Sequence, residues 1–229
     1  EGSAYLVVAE PSDLDVYIGE KGVLWTHVRA LGRTAHGSMP ALGVNAVSYM
    51  ARLITRLEAY PFPFEENALL GSPTLSVNVI AGGNKINVIP DVCRIEVDMR
   101  TVPGQNHDHL LRMLHSIAQE LAAECHPDLR VEVEIDNDKP PLETDRSEPL
   151  VEAVARSVQS IRRVAPQLGG VPFGTDAACL APGFDIPMVI CGPGAPGMAH
   201  QPDEYVEVEQ LVQAAEIYVE VAKRLLESA

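Results

Sequence analysis

The chain has 229 residues, 46% of them apolar, enough for a globular protein with a buried core and too apolar for a disordered one. Lys and Arg number 17 against 32 Asp and Glu, a formal charge of −15 that argues against a nucleic-acid footprint or an anionic membrane surface and suits small cationic or zwitterionic substrates. Cys93, Cys125, Cys179 and Cys191 have no C-x-x-C spacing, so reduced thiols in a cytoplasmic protein are expected rather than a zinc knuckle or disulfide framework.

The opening run, Tyr5-Leu-Val-Val-Ala9, predicts a buried strand and reads as a start in mid-fold. Gly22 to Gly32 is a strand bounded by glycines, with Leu24, Thr26, Val28 and Ala30 on one face. After the loop RTAHGSMP, the residues Val44, Val47, Met50, Ile54 and Leu57 recur at helical spacing, and Pro61 and Pro63 stop that helix. TLSVNV alternates, and so does VCRIEVDM, where Cys93, Ile95, Val97 and Met99 share a face; the Gly-rich stretch between them predicts antiparallel neighbours. A second helix from about His107 carries Leu110, Leu114, Ile117 and Leu121, and RVEVEI adds a last strand. The order β-α-β-β-α-β predicts a split, ferredoxin-like unit, a four-stranded sheet with both helices on one face. Met113, the leucines and Trp25 read as core, and the HDH at 107–109 as a solvated helix start.

The proline-rich, charged stretch DNDKPPLETDRSEP predicts a domain crossing. Beyond it come a helix with Leu150, Val154, Val158 and Ile161, a short buried strand PMVICG, and a helix from Glu207 to Leu226. This α/β tail is too short for a complete domain and is expected to share a sheet with residues 3–9. The ferredoxin-like unit, 21–138, is then an insertion between 1–20 and 139–229.

Several polar residues lie in loops where packing does not require them. Glu10 follows an apolar strand and precedes Pro11, where open α/β sheets place ligands; it is a candidate metal ligand, or a capping or solvated acid. His36 sits between a strand and a helix among small residues that let a substrate approach, and the bland alternative is a surface histidine. Asn87 is either a hairpin amide or a substrate contact. Arg100 offers bidentate carboxylate recognition or a rim salt bridge. Gly174 and Thr175 precede a short apolar run in FGTDAACLA, where Asp176 is a candidate helix cap. His200, on a Pro- and Gly-stiffened loop, is a candidate ligand that needs partners elsewhere.

Five stretches, AEPSDLDVYIGEKG, GRTAHGSMPALGVNA, GGNKINVIPDVCRIEVDMRTVPG, FGTDAACLA and GPGAPGMAHQPDEYV, together resemble the metal-dependent N-acyl amino acid amidohydrolases. That family includes acetylornithine deacetylase, succinyl-diaminopimelate desuccinylase, aminoacylase and carboxypeptidase G; the last stretches look closest to the acetylornithine deacetylase branch. The resemblance implies a zinc-exopeptidase-like catalytic domain, present in part, with an inserted lid and dimerisation domain. It implies Glu10 and His200 as ligands of two divalent ions, zinc with cobalt or manganese as alternatives. It also implies His36 as an oxyanion donor reaching the partner subunit's site, and Asn87, Arg100, Gly174 and Thr175 as substrate contacts. Two such ions activate a shared water that attacks the acyl carbonyl, releasing an amino acid and a carboxylate. The family's H-x-D pair, bridging aspartate and Glu-Glu base belong upstream of Val7, so these residues alone are expected to be an inactive part of a longer homodimeric enzyme. The alternatives are a non-catalytic dimerisation module, or a desuccinylase or carboxypeptidase.

Overall fold

The computed structural model describes residues 5–184 and 186–227. Its strands are β1 (Leu6–Pro11), β2 (Val16–Glu20), β3 (Gly22–Leu31), β4 (Ala35–His36), β5 (Thr74–Gly82), β6 (Val88–Ile89), β7 (Val92–Thr101), β8 (Arg130–Lys139), β9 (Leu142–Glu143), β10 (Leu168–Val171) and β11 (Met188–Gly192). Its α-helices are α1 (Ala46–Ala59), α2 (His107–Cys125), α3 (Pro149–Arg162), α4 (Ala177–Phe184) and α5 (Val208–Glu227). Two compact units divide the chain: Glu1–Gly22 with Glu66–Gly71 and Pro141–Ala229, and Val23–Glu65 with Ser72–Pro140.

The second unit is built on the sheet β5-β7-β3-β8, with β3–β8 and β5–β7 antiparallel. With α1 after β3 and α2 after β7, this is the ferredoxin-like order that the alternation predicts. One parity of β3, Leu24, Thr26, Val28 and Ala30, is at most 1% exposed and packs with α1 and α2 in a single core. Both helices start on asparagine caps: the Asn45 side chain accepts from the Ser48 amide at 3.0 Å, and that of Asn106 from the His109 amide at 2.9 Å. The buried stripe of α1 is rotated from the expected one. Tyr49 and Leu53 join Met50 and Leu57 inside while Val47 and Ile54 are half-buried, because the Tyr49 hydroxyl donates to the Ala118 carbonyl of α2 at 2.8 Å.

Two core expectations are corrected. Trp25 is 38% exposed, since it shares its parity with His27 and Arg29 on the sheet face that the helices do not cover; the Arg100 guanidinium lies 5.7 Å from its ring centre. His107 is buried rather than solvated: its Nδ1 is 2.6 Å from Asp138 Oδ1 and its Nε2 2.7 Å from the Thr101 hydroxyl. That pair of bonds ties the start of α2 to β7 and β8, and His109, two residues on, is exposed.

In the first unit the sheet runs β1-β11-β2-β10, with β9 also on β2. β1 is parallel to β11, pairing Val7 with Val189, so the tail does share a sheet with the opening strand. α3 and α5 pack on Val16, Ile18, Val189 and Cys191, and α4 meets the opposite parity through Ala177, Met188 and Ile190. β11 is buried at every residue, as a strand covered on both faces must be. The segment Glu66–Gly71 belongs here and not to the insertion expected over 21–138. Leu69 and Leu70 lie so close on the sheet that a Cβ at Gly19 or Gly170 would come within 2.8 and 2.5 Å of their methyl carbons.

Candidate functional site

The loop between β3 and α1 folds onto the turn between β5 and β7. β4 and β6 pair there, His36 opposite Val88, and the Gly37 amide donates to the Asn87 carbonyl at 2.8 Å. A Cβ at Gly37 would sit 3.1 Å from the Asn87 backbone, a tight contact that the glycine avoids. His36 and Asn87, far apart in sequence, are thereby adjacent, and both are exposed. Ser38 sets the state of the imidazole: its amide lies 3.2 Å and its hydroxyl 2.7 Å from His36 Nδ1. An amide can only donate, so Nδ1 accepts and the neutral ring carries its hydrogen on Nε2. The outward nitrogen is therefore a donor. No periodicity marks Ser38; the signal lies in its two-residue spacing from a loop histidine.

Arg100 is placed elsewhere. It ends β7, half-buried, in a bidentate pair with Asp98 at 2.8 Å for both bonds. β6 lies just before Val92, the start of β7, and at about 3.3 Å per residue the strand carries Arg100 roughly 26 Å away from that end. One copy of the chain does not bring Arg100 to His36 and Asn87.

In the first unit, Glu10 is exposed near the carboxyl end of β1, and the end of β11 lies against it: a Cβ at Gly192 would be 2.4 Å from the Glu10 carbonyl oxygen. His200 lies on the loop that follows β11, exposed, in a left-handed conformation with φ 62°, and its amide donates to Glu204 Oε2 at 3.0 Å. Because β1 and β11 are parallel, both candidate ligands belong to the carboxyl end of one strand pair. Among the described residues no group of three or more His, Cys, Asp or Glu is poised to hold a metal ion, so Glu10 and His200 fit as members of a larger donor set, not as a complete one.

Thr175 is buried, and its amide and hydroxyl both donate to Glu20 Oε2, at 3.1 and 2.7 Å. The same hydroxyl accepts the Ala177 amide at 3.0 Å, capping the start of α4. Thr175 thus shapes the loop, leaving half-buried Gly174 and exposed Asp176 nearer to solvent. Glu20, fully buried at the end of β2, is a site-building residue that the sequence reading missed; the signal was a carboxylate ending the otherwise apolar VYIG. The thiols are poor nucleophiles where buried: burial pushes Cys191 up to about 12 and also raises Cys93.

The geometry defines a mixed α/β domain interrupted by a ferredoxin-like unit, with candidate ligands at a strand end in one and an exposed histidine donor in the other. Residues 18–125 match the peptidase dimerisation domain of M20 enzymes. Acetylornithine deacetylase from Myxococcus xanthus is 31% identical over 218 residues, covering 91% of this chain and 54% of that protein. The enzyme of that name from Vibrio parahaemolyticus is 29% identical, covering 90% of this chain and 53% of that one. Among solved structures, a tripeptidase from Staphylococcus aureus superposes with TM-score 0.78 at 20% identity, over 96% of this chain and 57% of that one. An M20 metallo-carboxypeptidase from Sulfolobus solfataricus gives TM-score 0.72 at 16% identity, over 97% of this chain and 62% of that one. These matches support the M20 metallo-amidohydrolase family for this chain. It spans about half the length of the curated relatives it matches.

Proposed function

We propose that these residues are part of a homodimeric, cytoplasmic, metal-dependent amidohydrolase that cleaves N-acyl amino acids, with an N-acetylated amino acid such as N-acetylornithine as substrate. The adjacency of His36 and Asn87, with Nε2 of His36 held as a donor by Ser38, carries this reading. The similarity to acetylornithine deacetylases over nine-tenths of the chain supports the substrate class.

Glu10 and His200 would hold divalent metal, zinc by ligand type, together with donors from the rest of the polypeptide. When bound, a metal pair supplies an acidified water and polarises the acyl carbonyl. His36 Nε2–H donates to the oxygen on which charge develops, in the partner subunit's site, and Ser38 keeps that hydrogen on Nε2. Asn87 binds the substrate beside it, while Arg100, at the far end of β7, meets the substrate of a different site from the one His36 serves. Gly174 offers backbone to the substrate from a loop that Thr175 anchors to Glu20.

The in-trans arrangement is tested by complementation in the full encoded enzyme. His36→Ala alone should lower turnover about 10²- to 10³-fold with metal content unchanged. Glu10→Gln should lower metal content and activity together. Mixing the two as refolded dimers should restore about a quarter of wild-type activity, because half of randomly paired dimers then hold one intact site. No recovery in demonstrably mixed dimers would place His36 in its own subunit's site.

A further inference from the structure

The last residues of β7 are held from both faces of the sheet. On the face covered by α1 and α2, the hydroxyl of buried Thr101 lies 2.7 Å from His107 Nε2, and His107 Nδ1 lies 2.6 Å from Asp138 Oδ1 on β8. A carboxylate only accepts, so Nδ1 carries a hydrogen and Nε2 of the neutral ring accepts from the Thr101 hydroxyl. On the open face, Arg100 donates from Nε and Nη2 to the two oxygens of Asp98, at 2.8 Å each, and its guanidinium lies 5.7 Å from the centre of the Trp25 ring. A guanidinium has five N–H bonds, and this pair uses two of them. The remaining donors are the ones that can meet a substrate carboxylate.

Asp138 reaches His107 because β8 changes its parity. Val28 pairs with Val133 and Thr26 with Ile135, on the parity whose β3 members are buried. The register then shifts, with Trp25 opposite Asn137 and Leu24 opposite Asp138, so that Asp136 is the extra residue of a β-bulge. Without it Leu24 would pair with Asn137, and Asp138 would fall on the other face. The bulge therefore aims an acid at the imidazole. An apolar trio could fill the same space; three hydrogen-bonding groups add direction, fixing the strand end at one position.

We propose that His107 is a positioning residue for substrate binding: the relay from Asp138 through His107 to Thr101 fixes the end of β7, and with it the direction in which the remaining N–H groups of Arg100 point. The proposal rests on the reading of Arg100 as a substrate contact. Strand ends open first, and Arg100 is the next-to-last residue of β7, so its backbone moves with Thr101. Thr101 is gripped from another element, the start of α2, which the Asn106 cap holds in place. The relay touches neither substrate nor metal. It acts on how tightly a carboxylate is held and not on the chemical step, so what it sharpens is the choice of a free carboxylate over its carboxamide.

The test is steady-state kinetics of the full encoded enzyme on N-acetylornithine and on its α-carboxamide, which replaces only the carboxylate. Thr101→Val removes the hydroxyl at constant shape. It should raise KM for the carboxylate about 10-fold, keep kcat within about 2-fold, and leave KM for the carboxamide unchanged. Thr101→Ser keeps the donor and should restore the wild-type KM. His107→Leu should act like Thr101→Val, and the two together should cost no more than either alone, because they break the same relay. Arg100→Ala separates this inference from the reading beneath it. If Arg100→Ala raises KM for the carboxylate and Thr101→Val does not, the relay is only structural and the proposal falls while the role of Arg100 stands. If Arg100→Ala leaves that KM unchanged, both fall. An equal loss on the two substrates, or a lower kcat at unchanged KM, would also overturn the relay, since damage to the fold does not distinguish a carboxylate from its amide.

Discussion

The two units handle the edges of their cores differently. In the ferredoxin-like unit, β5, β7, β3 and β8 present one parity to α1 and α2, and the core residues Leu53, Ile95 and Leu114 are all 0% exposed. In the α/β unit, β11 is buried throughout, but β1 beside it is half-buried and α5 exposes a continuous apolar stripe. Composition does not separate them, since both are rich in Val, Leu and Ala. What differs is where apolar surface is left without cover: in the ferredoxin-like unit it lies on β5 and the open sheet face, with Val79 40%, Ile80 52% and Ile135 53% exposed, whereas in the α/β unit it lies along α5.

If that contrast is real, the units should respond separately to damage. Leu114→Ala removes a fully buried side chain from the core under α2 and should cost about 2–5 kcal/mol. Calorimetry should show the transition of the ferredoxin-like unit moving down while that of the α/β unit stays. A single transition that shifts as a whole would show the two to be one cooperative body. A smaller effect is expected in the α/β unit from Thr175→Val, which removes both the hydroxyl donor to buried Glu20 and the acceptor for the Ala177 amide. A loss of about 1–3 kcal/mol, restored by Thr175→Ser, is the expected outcome in denaturant titration. No loss would mean that the Glu20 carboxylate is satisfied without this hydroxyl.

The same contrast explains what was legible in the sequence. Alternation along Cys93, Ile95, Val97 and Met99 and the stripe Leu110, Leu114, Ile117 and Leu121 decide a fold whose cover is local, so the four-stranded order followed from periodicity. His107 escaped because a polar residue at a helix start is ordinarily solvated; only the approach of Asp138, 31 residues on, buries it. Trp25 escaped for the converse reason: its ring belongs to the parity that no helix covers. Glu66–Gly71 has no periodic signature, since two leucines seated over strand glycines look the same in a loop. At the candidate site, residue types pointed to Glu10, His36 and His200. Ser38 and Glu20 act through a neighbouring side chain, and such roles are visible only as distances.

The smallest expected effect concerns pH. In the α/β unit the Tyr218 phenol, raised by burial from its ordinary 10 to about 12, donates to the Cys191 carbonyl, and Cys191 itself is raised by burial, with Asp15 adding, from 9 to about 12. Each group holds its proton more tightly folded than unfolded, so its contribution is complete below the unfolded value and is lost as pH rises through the folded one. Stability of this unit should therefore fall between about pH 9 and pH 12. Tyr49 is raised by burial as well and exposes the ferredoxin-like unit to the same alkaline loss, so the contrast must be read through Tyr218 alone. Tyr218→Phe should cost about 1 kcal/mol at neutral pH through the lost hydrogen bond. That deficit should then shrink above pH 10 as the wild-type phenol begins to ionise on unfolding, which urea titrations of both proteins at several pH values would read directly. A deficit constant across the alkaline range would mean that the phenol has the same pKa folded and unfolded, so that burial under α5 does not raise it.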